Sequence, residues 1–281
     1  MASAIRLTDQ GNYLIPSPYR LDGRVSTYPS TATGWSSMNS YLVDTDSGML
    51  LVDTGYPSAI ENHVKAFDEL DPASAKKLSM LLLRAGEFNS TANAGTIHSR
   101  RPIDALYGPE DDIREWVFDA GDANNQTVRG HELGAGESLA VDLEETRRLE
   151  ALKPPLRLLK TRWLYDPVGK VMHTSDMFGH SWADSPDGPF VISDADSDTT
   201  TAEQVAEYFA GTRYWWLPHT DTSIFWRGIQ ETFERYDVDV IAPAWGCVLQ
   251  GRSVIEKHLG IVGEVLDSVS RSRTEYIGSL R

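Results

Sequence analysis

The chain of 281 residues has a single cysteine, Cys247, so no intramolecular disulfide can form and a reducing, cytoplasmic setting is the expectation. It has no run of lysine or arginine. Its 26 basic residues face 41 acidic ones, a formal charge of -15 that disfavours nucleic acid and anionic membrane surfaces as partners. It has no apolar stretch of membrane-spanning length and no N-terminal segment of the signal-peptide kind, which predicts a soluble chain. None of the seven histidines stands in a close pair with zinc-motif spacing, and there is no glycine-rich phosphate loop. Asp194-Ala195-Asp196-Ser197-Asp198 begins like a calcium loop, but Thr199 stands where the loop needs glycine and Val205 where it needs glutamate. An EF-hand is excluded, and a solvated acidic surface loop is expected there.

What remains is an ordinary globular composition, 41% hydrophobic and 24% charged, long enough for one layered α/β domain over residues 1–281. Tyr41-Leu42-Val43 and Met49-Leu50-Leu51-Val52 flank a turn-forming Asp44 to Gly48 and predict a hairpin. Ser58 and Glu61 form a capping box before Ile60, Val64 and Phe67, which predicts a helix. The apolar run Leu78 to Leu83 predicts a buried strand that empties into a polar loop, Arg84 to Thr91. Further strands are expected at Ile103–Tyr107, Leu156–Tyr165, Lys170–Thr174 and Val238–Ala242. Helices are expected at Pro109–Val117, after a cap at Thr200 and Glu203, along Phe225, Ile229, Phe233 and Tyr236, and at 253–270. The stripe on the last helix, Val254, His258, Ile261 and Val265, suits burial in the core or in a homodimer. Hairpins interleaved with strand–helix units predict two mixed sheets with helices outside.

Four segments in order, the hairpin, the loop after Leu83, Lys170 to Gly179 and the strand ending Ile241-Ala242-Pro243, resemble the metallo-β-lactamase superfamily over about residues 36–252, nearest its flavodiiron and oxygen-binding diiron branch. Asn39 to Gly55 resembles the family's opening hairpin, Ser175-Asp176-Met177-Phe178-Gly179 its S-D-x-F-G segment, and Tyr208 to Val240 the helical run before its last ligand. The resemblance implies an αββα sandwich. It also locates the two-metal site, where imidazoles and carboxylates converge on Fe, Mn or Zn. The loop that reads H-x-E-x-D-H in the family carries Ala85, Glu87, Asn89 and Ser90 here, the next histidine is Arg162, and the last is Trp245. Among those positions Glu87 and Asp176 alone keep a carboxylate. A dinuclear centre, and with it any metal cofactor, is therefore not expected.

The expected replacement is a guanidinium: Arg162, projecting where an imidazole projected, would neutralise Glu87 and Asp176. A cleft with Trp163, Phe178 and Trp245 as walls and Asn89, Ser90, His180 and His219 about it suits a flat, partly polar organic molecule. Glu87 or Asp176 would serve as general base there and Arg162 as oxyanion partner. Two alternatives stand beside this reading. One is a mononuclear Fe, Mn or Zn hydrolase or oxidoreductase built on Glu87, Asp176, His180 and His219. The other is a non-catalytic partner or sensor. Cys247 has no base beside it in sequence and reads as a core residue, as do His63 and His258 on their helices, while His173 points away from Asp176 along a strand.

Overall fold

A computed structural model describes residues 4–84, 86–118 and 127–279, with side chains considered except at 89 and 271–279. One sheet runs in chain order through β1 (Ile5–Thr8), β2 (Asn12–Leu21), β3 (Gly34–Asp44), β4 (Gly48–Val52), β5 (Lys77–Leu81), β6 (Ala105–Gly108) and β7 (Arg129–Glu132). Its first four strands pair antiparallel and the rest parallel. The other sheet is built from β8 (Ser138–Ala140), β9 (Arg148–Leu152), β10 (Trp163–Asp166), β11 (Val171–Ser175), β12 (Val191–Ile192), β13 (Val240–Pro243) and β14 (Val248–Gln250). Its order is β12-β14-β13-β11-β10-β9-β8, with β11 and β13 parallel.

Strict alternation of side chains explains the layering. In β4, Leu50 and Val52 enter the core between the sheets while Met49 and Leu51 face outward against the helices α1 (Ile60–Leu70) and α3 (Ala94–Arg100), between which the chain forms the single turn α2 (Phe88–Thr91). In β10 and β13, Leu164, Val240 and Ala242 point inward, whereas Trp163, Tyr165 and Ile241 pack outward with α5 (Ser223–Arg235) and α6 (Arg252–Ser279). Val254, His258, Val262, Val265 and Leu266 of α6 are buried in this chain, so its stripe belongs to the core. The αββα sandwich is thus present, extended by β1 and β2 ahead of the segment that carried the resemblance.

Local departures have local causes. Residues 57–59 form a 3-10 turn before α1, whose N-cap is Ala59 with no side-chain bond, so Ser58 caps nothing. Residues 111–117 are turns rather than the expected helix. The strand expected from Leu156 starts at Trp163. Thr201, not Thr200, caps the next helix, α4 (Ala202–Ala206), accepting from Gln204 N at 3.2 Å. That helix runs on as a π-helix, Glu207–Arg213, whose extra residue per turn brings Arg213 to the site described below.

At the far end of the sandwich a buried polar knot ties the sheets together. Arg147 pairs with Asp166, and Asn12 of β2 donates to Asp166 at 2.9 Å while accepting from Arg147 Nη2 at 2.8 Å. Burial alone would raise the Asp166 carboxyl, but Arg147 and Asn12 hold it below the usual carboxylate value. Arg147→Ala leaves that carboxylate buried and half-paired. We expect a loss of about 3 kcal/mol or more, measured by urea denaturation at neutral pH.

Candidate functional site

Four loops meet at the C-terminal ends of β4, β5, β11 and β13, and each delivers one residue of a buried cluster: Asp53, Arg84, Asp176 and Trp245. Arg84 closes the apolar run of β5 and is fully buried. Its Nη1 donates to Asp176 Oδ1 at 2.8 Å and its Nη2 lies 3.5 Å from Asp53 Oδ2. Arg213 reaches the same Asp176 Oδ1 at 2.8 Å and Glu87 Oε1 at 3.3 Å. Both guanidiniums also lie over the Trp245 indole, 4.6 Å from the ring centroid for Arg84 and 4.4 Å for Arg213. The indole N–H donates to Tyr208 Oη at 2.6 Å, and that hydroxyl donates to the Asp176 carbonyl at 2.8 Å.

Backbone shape makes this packing feasible. A Cβ at Gly179 would stand 2.2 Å from Trp245 Cδ1, so only glycine lets the indole lie there. Asp53, Ser175 and Phe178 all hold positive φ, a strain of about 1 kcal/mol or more each concentrated around the cluster. Asp53 Oδ1 repays some of it by accepting from Leu83 N at 2.9 Å and Ser90 Oγ at 2.7 Å.

The electrostatics follow from burial plus charge. Burial pushes the Asp53 carboxyl above its usual value, with Arg84 and Ser90 pulling the other way. Burial disfavours the charge on Arg213, but Asp176 together with smaller contributions, Glu87 among them, outweighs this and holds the guanidinium above its ordinary range. Desolvation likewise pushes the Tyr208 and Tyr214 hydroxyls well above theirs, so both stay neutral. The arrangement is a pair of permanent cations on one carboxylate oxygen, shielded by aromatic rings.

Several expectations are corrected by this geometry. Arg162 does not reach Glu87 or Asp176: its Nε donates to Leu133 O at 2.8 Å and its Nη1 to Thr161 O at 3.4 Å, because β10 carries it toward the loop after β7. Arg84 and Arg213 take the role foreseen for it. Ser90 turns inward to Asp53, while Trp163 and Phe178 are core residues packed with Phe233. His219 is exposed at the end of a 3-10 turn, and His180 is buried and bonded to His258 Nδ1 at 2.8 Å. The four residues of the mononuclear alternative are therefore not brought together. Among the described residues, the one group of three or more potential ligands is Glu110, Asp111 and Asp112, at the surface. Ala85 and the Asn89 side chain lie outside the described residues.

The residues present do not fit a dinuclear metal centre. Asp176 Oδ1 already receives two guanidinium N–H groups, and a guanidinium has no lone pair to offer a cation. Arg84, unlike Arg213, had a signal in the sequence. An arginine directly after four apolar residues must find an anion when buried, and Asp53 and Asp176 are the anions the hairpin and the S-D-x-F-G segment supply.

Above the floor the site is open. The Glu87 side chain is 24% exposed, Phe88 is exposed against Tyr56 with ring centroids 6.0 Å apart, and exposed Trp116 lies over Gly86.

No protein-family model and no curated protein matches this chain. Solved structures do. The metal-soaked flavodiiron core of Flv1 from Synechocystis sp. PCC6803 superposes with a TM-score of 0.65 at 16% identity, covering 94% of this chain and 60% of that one. The flavodiiron protein of Giardia intestinalis gives 0.62 at 16% identity, covering 96% and 59%. Rubredoxin oxygen:oxidoreductase from Desulfovibrio gigas gives 0.67 at 14% identity, covering 96% and 61%. The fold is that of the flavodiiron metallo-β-lactamase-like domain, and the chain spans about 60% of the length of these proteins. No helix among the described residues is long and apolar enough to cross a membrane.

Proposed function

We infer that this chain is a metal-independent, small-molecule-binding domain on a flavodiiron-like fold, and that its ligand meets the protein at the mouth of the old metal cleft. One observation carries the reading: two guanidiniums converge on Asp176 Oδ1, so the carboxylate that would bridge metals is already bridged by fixed charge. What faces solvent is Glu87 with Arg213 behind it, flanked by the rings of Phe88, Tyr56 and Trp116. Flat rings stack on such edges while a polar substituent reaches the ion pair.

Benzamidine and benzoate serve as flat aromatic probes of opposite charge in saturation-transfer NMR. At least one should bind saturably in the millimolar range and lose that binding in Phe88→Ala and Glu87→Gln. No saturable binding of either, or binding indifferent to both substitutions, contradicts the reading. A second reading, a non-catalytic partner subunit, is favoured by the exposure of Phe88, Trp116 and Trp215, large aromatic residues of the kind enriched at interfaces. Stable co-purification with another chain, abolished by Trp215→Ser, would support it.

A further inference from the structure

Away from that cluster, a second buried polar chain links the acidic segment 191–200 to α6. His180 Nε2 and His258 Nδ1 lie 2.8 Å apart with the rings stacked at 5.1 Å, and His258 Nε2 is 3.1 Å from Asp198 Oδ2. The neighbouring Lys257 Nζ lies 2.9 Å from the same Oδ2 and donates to Ala195 O at 3.0 Å and Asp198 O at 2.5 Å. Two consecutive side chains of one helix therefore fasten the segment at a single point. That segment forms one wall of an open groove of about 770 Å³, which Trp182, Gln204 and Cys247 line from other elements.

The carboxylate 3.1 Å from His258 Nε2 is a charge contact rather than an aligned hydrogen bond, and it favours the tautomer with the proton on that nitrogen, which leaves His258 Nδ1 as acceptor and His180 Nε2 as donor. Both imidazoles are then neutral and fully buried. We propose that the His180–His258–Asp198 chain is a proton-responsive clasp holding segment 191–200 in place as one wall of this groove, and that protonation of the imidazoles in water releases the segment and takes that wall away.

The surrounding groups leave the imidazoles as the responsive element. Lys257 and Thr200 hold Asp198 below the usual carboxylate value against the effect of its burial, so it stays ionised. Tyr208, which packs against His180, is pushed well up by burial, and the Cys247 thiol is pushed up to about 12 by burial and Asp198. Both stay neutral across the range. Burial lowers His180 and His258 when the clasp is closed, with His258 opposing a charge on His180 and Asp198 partly offsetting the shift on both. In the open state they return to about 6.5, so protons bind the open state better and acid favours it.

Hydrogen exchange read by mass spectrometry, corrected for intrinsic rates, measures opening of residues 191–200 between about pH 7.5 and pH 5. The opening constant should rise at least about tenfold across that range while β10 and β13 stay protected, and His258→Gln and His180→Gln should each flatten the profile. Lys257→Met should open the segment at every pH. A flat profile in the unmodified protein overturns the proposal whatever the variants do, and so does an unchanged profile in a folded His258→Gln.

Discussion

Replacing Arg84 by alanine is expected to cost about 3 to 5 kcal/mol of folding stability at neutral pH, because it strands Asp53 and Asp176 as buried charges with one guanidinium fewer between them. The size of that effect distinguishes an internal counter-ion from a surface ornament, for which about 1 kcal/mol or less would be seen. Its pH dependence carries a sign as well. With Arg84 gone, burial and the Asp176 charge raise the Asp53 carboxyl further in the folded state, so the destabilisation exists above its new pKa and fades once acid protonates it. The difference between Arg84→Ala and the unmodified protein should therefore shrink from pH 7 toward about pH 5. Adding Asp176→Asn to the variant should recover part of the loss, since a neutral amide needs no cation. Urea denaturation of the four members of that cycle checks both statements, and a difference that grows with acid would count against the ion-pair account.

The second large effect concerns the whole protein in acid. His63 and His173 are fully buried, and desolvation lowers each to about 4. Their unfolded value is about 6.5, so the unfolded chain takes up protons that the folded one refuses, and each residue removes up to about 3 kcal/mol as pH falls from 6.5 toward 4. Between pH 7 and pH 5 the two together should lower stability by about 4 kcal/mol. The aspartates held low by their partners, Asp71, Asp142 and Asp166, lose their contribution only below the ordinary carboxylate range, so the two windows separate. The two histidines differ in what substitution does. His63 is bonded, with Ser40 Oγ 2.8 Å from Nε2 and Ala59 O 3.2 Å from Nδ1, so replacing it costs stability at any pH. Neither ring nitrogen of His173 has a hydrogen-bond partner, and the ring meets Tyr41 edge-on between the sheets. His173→Leu should be neutral or stabilising at pH 7 and should remove about 2 kcal/mol of the acid loss at pH 5, as measured by urea denaturation at both values.

Much of the fold was legible because its strands alternate so regularly. Met49 to Val52 and Leu78 to Leu83 are apolar runs of the length that suits buried strands, of which the second pairs as far as Leu81, and the hairpin and the S-D-x-F-G segment gave their order. What escaped was set by tertiary context. The π-helix at Glu207–Arg213 has no local signature, yet it decides which residue faces Asp176. The choice between Arg162 and Arg84 was a matter of strand direction, since a residue at the start of β10 and one just beyond β5 both border the cleft and only the latter points into it. The His180–His258 contact joins positions 78 residues apart and could not be seen from either. That a guanidinium would lie beside the surviving carboxylates was readable from Glu87 and Asp176, although the residues that supply it, Arg84 and Arg213, were not.

The most direct test of that idea is elemental mass spectrometry of untagged protein expressed with supplementary iron, manganese and zinc, beside Glu87→Ala/Asp176→Ala. Guanidiniums in place of metals predict less than about a tenth of an equivalent of any of the three in both proteins. An equivalent or more in the unmodified protein, lost from the variant, would mean that Glu87 and Asp176 hold metal and that the ion-pair account of this site is wrong.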